Sequence, residues 1–268
     1  MGPDFRTTFG DLCLEEHDIV VETILDDPPQ ARVDATDVPG RDGSVLVDAT
    51  LGPRDITLGC RVFGEEWHDF DEVVSMLGTH LCETAELEVR SHPGERYMAT
   101  LTSVTTSYDE RQGGTGLGYL ELGFVAHDPY RYGATRSYEF SSPSGSSNEI
   151  LIGGNVPTRR FTLKSNKARG WNDIGIHDTD QNGVWGFVID GSFNVLVVIP
   201  RGREAASYHT VNIDFEKRSA SVDGQTTTIT LGSDWPDMKP GRHVLTFQEG
   251  SFDSSAGHPI IEWTERYV

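Results

Sequence analysis

Six residues carry the clearest hint of chemistry in this 268-residue chain. Asp178-Thr179-Asp180-Gln181-Asn182-Gly183 matches the first half of a calcium loop, in which oxygens at positions 1, 3 and 5 converge because glycine at 6 permits the sharp turn. The bidentate acid needed at position 12 is Ile189 here and Asp190 falls one residue late, so a polar turn between strands is the competing reading. The run Gly113-Gly114-Thr115-Gly116-Leu117-Gly118 could cradle a phosphate, but it lacks the lysine of a P-loop and a following helix. A hairpin tip over 107–117 is expected instead. Trp171 and Trp185 lie in polar, glycine-rich surroundings where an exposed ring would stack on a sugar, although sandwich cores use tryptophan equally well.

Other chemistry lacks its spacing. GxSxG, HExxH and GxxxxGK[ST] are absent, and the nine histidines are scattered. Cys13, Cys60 and Cys82 are odd in number with no CxxC pair, so buried free thiols are expected rather than a disulfide framework or zinc site. A glycosidase would need two carboxyls about 5–10 Å apart, and among 42 Asp and Glu no pair stands out. The expectation is a non-enzymatic protein with no catalytic, cofactor-binding or metal-binding residue.

The elements that would position any site are mainly β. In the first half, Ile19-Val20-Val21, Ile24-Leu25, Arg54 to Leu58, Leu87 to Val89, Arg96 to Thr106 and Gly118 to Val125 read as strands. Between Glu65 and Cys82 the period changes: Phe70, Val73, Val74, Leu77 and Leu81 form one helical stripe, with acids in its first turns. The second half is a series of short strands at 161–163, 187–189, 195–199, 210–215, 219–222, 226–231, 243–248 and 260–264, the spacing of a β-sandwich. Asp223-Gly224 marks a tight hairpin.

The net charge of −20 excludes a nucleic-acid binder, because phosphate affinity needs clustered Lys and Arg. Residues 1–133 hold 26 acids and 9 bases, all of them Arg, for a net of −17, while the remainder holds a net of −3. The linker-like Ser141-Ser142-Pro143-Ser144-Gly145-Ser146-Ser147 lies close to this break, and the two signals together divide the chain into domains 1–137 and 138–268. No stretch reaches the ~20 apolar residues of a membrane helix, and Met1 to Arg6 contains no apolar run of a signal peptide, so synthesis in a cytoplasm and no membrane partner are expected.

Several segments, in order, resemble the distal tail protein family of long-tailed, non-contractile bacteriophages. They are Pro28-Pro29-Gln30-Ala31-Arg32, then Val38-Pro39-Gly40-Arg41-Asp42-Gly43, Arg54-Asp55-Ile56-Thr57-Leu58, the helix over 65–82, Arg96-Tyr97-Met98-Ala99-Thr100-Leu101, and Leu120 to Tyr130 with its Phe124-x-x-x-Asp128-Pro129-Tyr130 close. In the second half, Asn155-Val156-Pro157-Thr158 resembles the family's approach to the C-terminal sandwich, and Ser233 to Val244 its Leu-x-Pro-Gly-x-Asn segment, with Met238 and His243 in place of Leu and Asn.

The resemblance implies an N-terminal ring-forming domain, β-sandwich-like with one α-helix and a β-hairpin, and a C-terminal galectin-like β-sandwich. It implies a homo-hexameric hub in the virion, at the distal end of the tail. That hub joins the tail tube protein to the tip or baseplate and its receptor-binding proteins. DNA would pass through a channel whose acidity repels it. Some members insert a carbohydrate-binding module, for which the 138–268 domain has no room. A carbohydrate-binding host-adhesion module is the alternative function.

Overall fold

Alternation of apolar and polar residues at period two, broken by glycine and proline, yields short paired strands almost throughout. The computed structural model describes residues 6–63, 67–108, 118–140, 147–168, 183–199, 209–229, 233–247 and 259–268. The chain separates into two compact units, Met1–Tyr132 with Val268, and Gly133–Tyr267. Asp178, Asp180, Asn182 and Trp171 lie outside the described residues, as do 109–117 of the glycine-rich tip and 141–146 of the serine-rich stretch; of Trp185 the side chain does.

The first unit contains β1 (Thr8–Phe9), β2 (Leu12–Cys13), β3 (Ile19–Asp26), β4 (Ala31–Asp37), β5 (Ser44–Leu51), β6 (Arg54–Val62), α1 (Trp67–Thr79), β7 (Thr84–Glu88), β8 (Arg96–Tyr108) and β9 (Gly118–Ala126). Its ladder runs β3-β6-β9-β8-β7-β1-β2, all antiparallel. β8 serves both ends of that ladder: its first residues pair with β7, its later ones with β9, and the register shifts between Leu101 and Ser103. A bulge lets one long strand bend and turn its side chains onto a single core. That core takes Ile56, Leu58 and Val62 from β6, Leu120, Leu122 and Phe124 from β9, Leu87 from β7, Tyr97 and Leu101 from β8, and Phe70 and Leu77 from α1.

Two local readings change. Ile19-Val20-Val21 and Ile24-Leu25 are one strand, split in pattern by a register shift between Val21 and Thr23. The helix ends at Thr79, and Leu81 lies beyond it, 41% exposed, so the buried stripe closes at Leu77. Gly118, the last glycine of the glycine-rich run, has a packing role: a β-carbon there would fall 2.1 Å from the ring of the fully buried Phe70.

Cys60 is buried on β6, and Cys82 is exposed. Burial, with Glu15 and Glu22 nearby, pushes the Cys60 thiol up from 9.0 to about 12. Above about pH 9 the unfolded chain releases this proton while the folded chain keeps it, so stability falls as pH rises from 9 toward 12. Native alkylation at about pH 8.5, read by mass spectrometry, will label Cys82 and spare Cys60. Equal labelling of the two would contradict this burial.

The second unit contains β10 (Arg131–Glu139) beyond Tyr132, then β11 (Ser147–Ile152), β12 (Phe161–Ala168), β13 (Gly183–Ile189), β14 (Phe193–Ile199), β15 (His209–Asp214), β16 (Ser219–Val222), β17 (Gln225–Thr227), β18 (Gly241–Phe247) and β19 (Ile260–Tyr267). One sheet is ordered β17-β16-β15-β12-β19-β10 and the other β11-β18-β13-β14. Inward residues of both, Phe161, Leu163, Ile213 and Trp263 from the first and Ile150, Phe187, Ile189 and Leu245 from the second, share one core, which makes a β-sandwich. Asp223 and Gly224, at φ 49° and 76°, form the tight turn between β16 and β17. Ser147, read with the serine-rich stretch, begins β11 opposite Thr246.

Candidate functional site

Among the described residues β4 and β5 pair only with each other, and all fifteen of their residues are exposed. They continue the β3–β6 hairpin outward. Pro28, Pro29 and Pro53 interrupt the strands at the junction because proline offers no N–H to a ladder. At the far end, Val38-Pro39-Gly40-Arg41 closes a type II turn: Arg41 N donates to the Val38 carbonyl at 3.1 Å and Gly40 has φ 81°. Proline at the second position and glycine at the third are what that turn requires. The Pro-Gly-Arg-Asp-Gly segment therefore makes the tip of a projecting arm.

The arm has two chemically different faces. Residues opposite one another in an antiparallel pair share a face, and the register sets Ala31 against Leu51, Val33 against Ala49 and Ala35 against Leu46. That face is apolar over these three pairs and turns polar only at the tip, where Asp37 stands against Ser44. The other carries Arg32 against Thr50, Asp34 against Asp48 and Thr36 against Val45. A register shift between Asp34 and Ala35 brings Leu46, rather than Val47, onto the apolar face. Val33 is 63% and Leu46 61% exposed. An isolated two-stranded hairpin is marginal in water, and an unpartnered apolar strip of this kind marks an interaction surface.

Both roots of the arm are tied to a buried polar clamp. Asp26 ends β3 just before the prolines, and Arg54 opens β6 just after Pro53. Arg54 Nε donates to Asp26 Oδ1 at 2.7 Å and its Nη1 to the Pro129 carbonyl at 3.3 Å, while its guanidinium lies 5.4 Å from the centre of the Tyr97 ring. Tyr97 Oη donates to the second Asp26 oxygen at 2.6 Å. Arg131 stands 3.8 Å from Asp26 and 2.9 Å from Glu95. Tyr132 Oη donates to Asp128. Burial, then the Asp26 hydrogen bond, pushes the Tyr97 phenol up, and burial with the Arg131 charge holds His92 below its ordinary value. The clamp thus unites Arg54, Tyr97 and Pro129, one residue from each of three segments singled out by resemblance, with Asp26, which sequence reasoning missed.

In the second unit the same correspondence recurs. Thr158 and Met238 exchange backbone hydrogen bonds at 2.8 and 2.9 Å, joining the Asn155–Thr158 and Ser233–Val244 segments. His243, where the family pattern has Asn, sets Nδ1 2.7 Å from Asp190 and Nε2 2.7 Å from the Lys239 carbonyl. Asp190 also accepts from Val244 N at 2.8 Å, so histidine keeps the local turn hydrogen-bonded. Among the described residues no three His, Cys, Asp or Glu gather as a metal site would need, and no helix is long and apolar enough to cross a membrane.

The family model of the phage tail protein RIFT-related domain matches residues 9–125, and that of the siphovirus-type tail component C-terminal domain matches residues 198–267. No curated protein matches by sequence. The fold is shared with the crystal structure of the phage SPP1 Dit protein, described as a paradigm of the hub adsorption apparatus in phages infecting Gram-positive bacteria. That match has a TM-score of 0.74 at 16% identity and covers 98% of this chain and 99% of the other. The phage P2 baseplate in its activated conformation with Ca superposes at a TM-score of 0.45, with 9% identity over 95% and 92% of the two chains. Since each half is matched by its own tail-protein model, over more than two thirds of the chain in all, the chain belongs to the distal tail protein family of siphophages and is a structural component of the virion at the distal end of the tail.

Proposed function

We propose that the protein is the hub of the distal tail: six copies close a ring through the first domain, residues 1–137, while the second, 138–268, projects as a galectin-like sandwich toward partners. The hub joins the tail tube protein on one side to the tip or baseplate and its receptor-binding proteins on the other. The observation that carries this reading is the arm, whose apolar face is uncovered among the described residues. A closed ring needs a head-to-tail contact between two different patches, and a projecting arm supplies one of them. The net charge of −17 on residues 1–133 suits a channel wall that repels DNA rather than holding it. Neither domain is assigned a catalytic task. Light scattering across a concentration series tests the reading: a particle of six chains is expected, and a monomer at every concentration would contradict it.

A further inference from the structure

Arg131 is the joint of the clamp. Its guanidinium stands 2.9 Å from Glu95 and 3.8 Å from Asp26 at the root of the arm, and it donates to the Val268 carbonyl at 2.7 Å. Glu95 closes the turn between β7 and β8: its N–H donates to the His92 carbonyl at 3.1 Å, and the His92 N–H donates to the Val89 carbonyl at 2.9 Å. A chain of contacts therefore runs from the half-buried His92 through Glu95 and Arg131 to Asp26 at the end of β3, where the arm begins.

The charges that act on the His92 ring come from every element that meets there. Asp26 is supplied by β3, Arg54 by β6, Glu95 by the turn and Arg131 by the start of β10. Glu88 of β7 is occupied by the Gly94 N–H at 2.8 Å and by Arg96 at 3.3 Å, and Ser91 Oγ lies 3.0 Å from His92 Nδ1. The two carboxylates are already paired with the two guanidiniums, Asp26 with Arg54 at 2.7 Å and Glu95 with Arg131 at 2.9 Å. A proton on His92 is thus a surplus positive charge against a closed set, and Arg131 is the charge that opposes it most. His68 and His80, by contrast, stand beside carboxylates, Glu72 at 3.0 Å and Glu83 at 2.6 Å.

We propose that His92 is an acid-sensitive release for the arm: when its ring takes a proton from solvent, Arg131 is pushed from Glu95 and Asp26 and the roots of the arm loosen, while the core of the first unit stays folded. Burial first, then Arg131, holds the ring below its ordinary 6.5, against the opposite pull of Glu95 and Asp26. A released ring binds a proton more readily than the clamped one, so the hold on the roots is complete above 6.5 and is lost as pH falls below it. β4 and β5 keep each other through seven register pairs, so the hairpin persists while its roots open.

Amide hydrogen exchange in the full-length chain tests this, with intrinsic rates divided out at each pH. The reporter is the Gly52 N–H, which donates to the Gln30 carbonyl at 2.8 Å across the root, and core amides of β6 and β9 are the folding control. Between about pH 7.5 and about pH 5.5, the range in which histidine ordinarily changes charge, wild-type protection at Gly52 is expected to fall several-fold while β6 and β9 stay protected. The ceiling is about tenfold, because the lower pH lies one unit below 6.5. His92→Gln, which cannot take the proton, should keep Gly52 protected at both pH values, and His92→Lys, which carries the charge throughout, should leave it poorly protected at both. If His92→Gln melts lower at neutral pH, His92→Asn takes its place and is read in the same way. Wild-type protection that does not change would overturn the proposal, as would a fall that persists in the neutral variant. Loss at the root and in the core together would be general acid unfolding and would overturn it too. The clamp lies within one chain, so none of these outcomes depends on the ring.

Discussion

Arg54→Ala will lower the stability of the first unit by about 3–5 kcal/mol, the range found when one partner of a buried ion pair is removed. The side chains of Arg54 and Asp26 are only 4% and 9% exposed. Without the guanidinium, the Asp26 carboxyl is left in a dry site with the Tyr97 hydroxyl at 2.6 Å and Arg131 at 3.8 Å. The Pro129 carbonyl loses its donor and the Tyr97 ring its cation. Arg54→Lys will recover little, because one ammonium nitrogen cannot stand at both the Nε and the Nη1 positions from which the planar guanidinium reaches the carboxylate and the carbonyl. Tyr97→Phe removes a single hydrogen bond and should cost less, about 1–3 kcal/mol. Urea unfolding reads the difference as a lower midpoint at unchanged slope. A loss below about 1 kcal/mol for Arg54→Ala would show that the clamp is solvated and does not hold the roots of the arm.

The arm gives the opposite signature. Leu46→Asp will leave the melting temperature of the single chain nearly unchanged, because a substitution at a site 61% exposed touches no core. In the assembly it places an unpaired carboxylate in an apolar contact, repeated at every interface. A penalty of about 3 kcal/mol per contact corresponds to a rise of roughly 100-fold or more in the concentration needed for assembly. Thr50→Asp, on the opposite face, should leave assembly close to wild type. Sedimentation at matched concentrations separates the two. Assembly of Leu46→Asp at the wild-type concentration would remove the apolar face from the interface.

These two sites also mark where sequence reading stopped. The core strands were legible because burial imposes alternation: Ile56 and Leu58 on β6 and Leu120, Leu122 and Phe124 on β9 face inward at every second position, and β6 carries the same alternation past the 54–58 reading through Cys60 to Val62. β4 and β5 were not, since neither face is buried in the single chain and Ala31 to Asp37 mixes charges and small residues with no period to detect. Resemblance located Pro39 and Gly40 without saying that they turn a free hairpin. The clamp was hidden for another reason: Asp26 and Tyr97 are 71 positions apart, and one acid among 42 carries no mark of burial. Bulges in β3 and β8 broke the period where those strands bend.

The ring is the central claim, and imaging the purified full-length protein by negative stain tests it most directly. The expected image is a closed ring of six subunits around an open channel, with an arm crossing each subunit boundary. Isolated single chains, or open filaments of a contact that does not close, would contradict it.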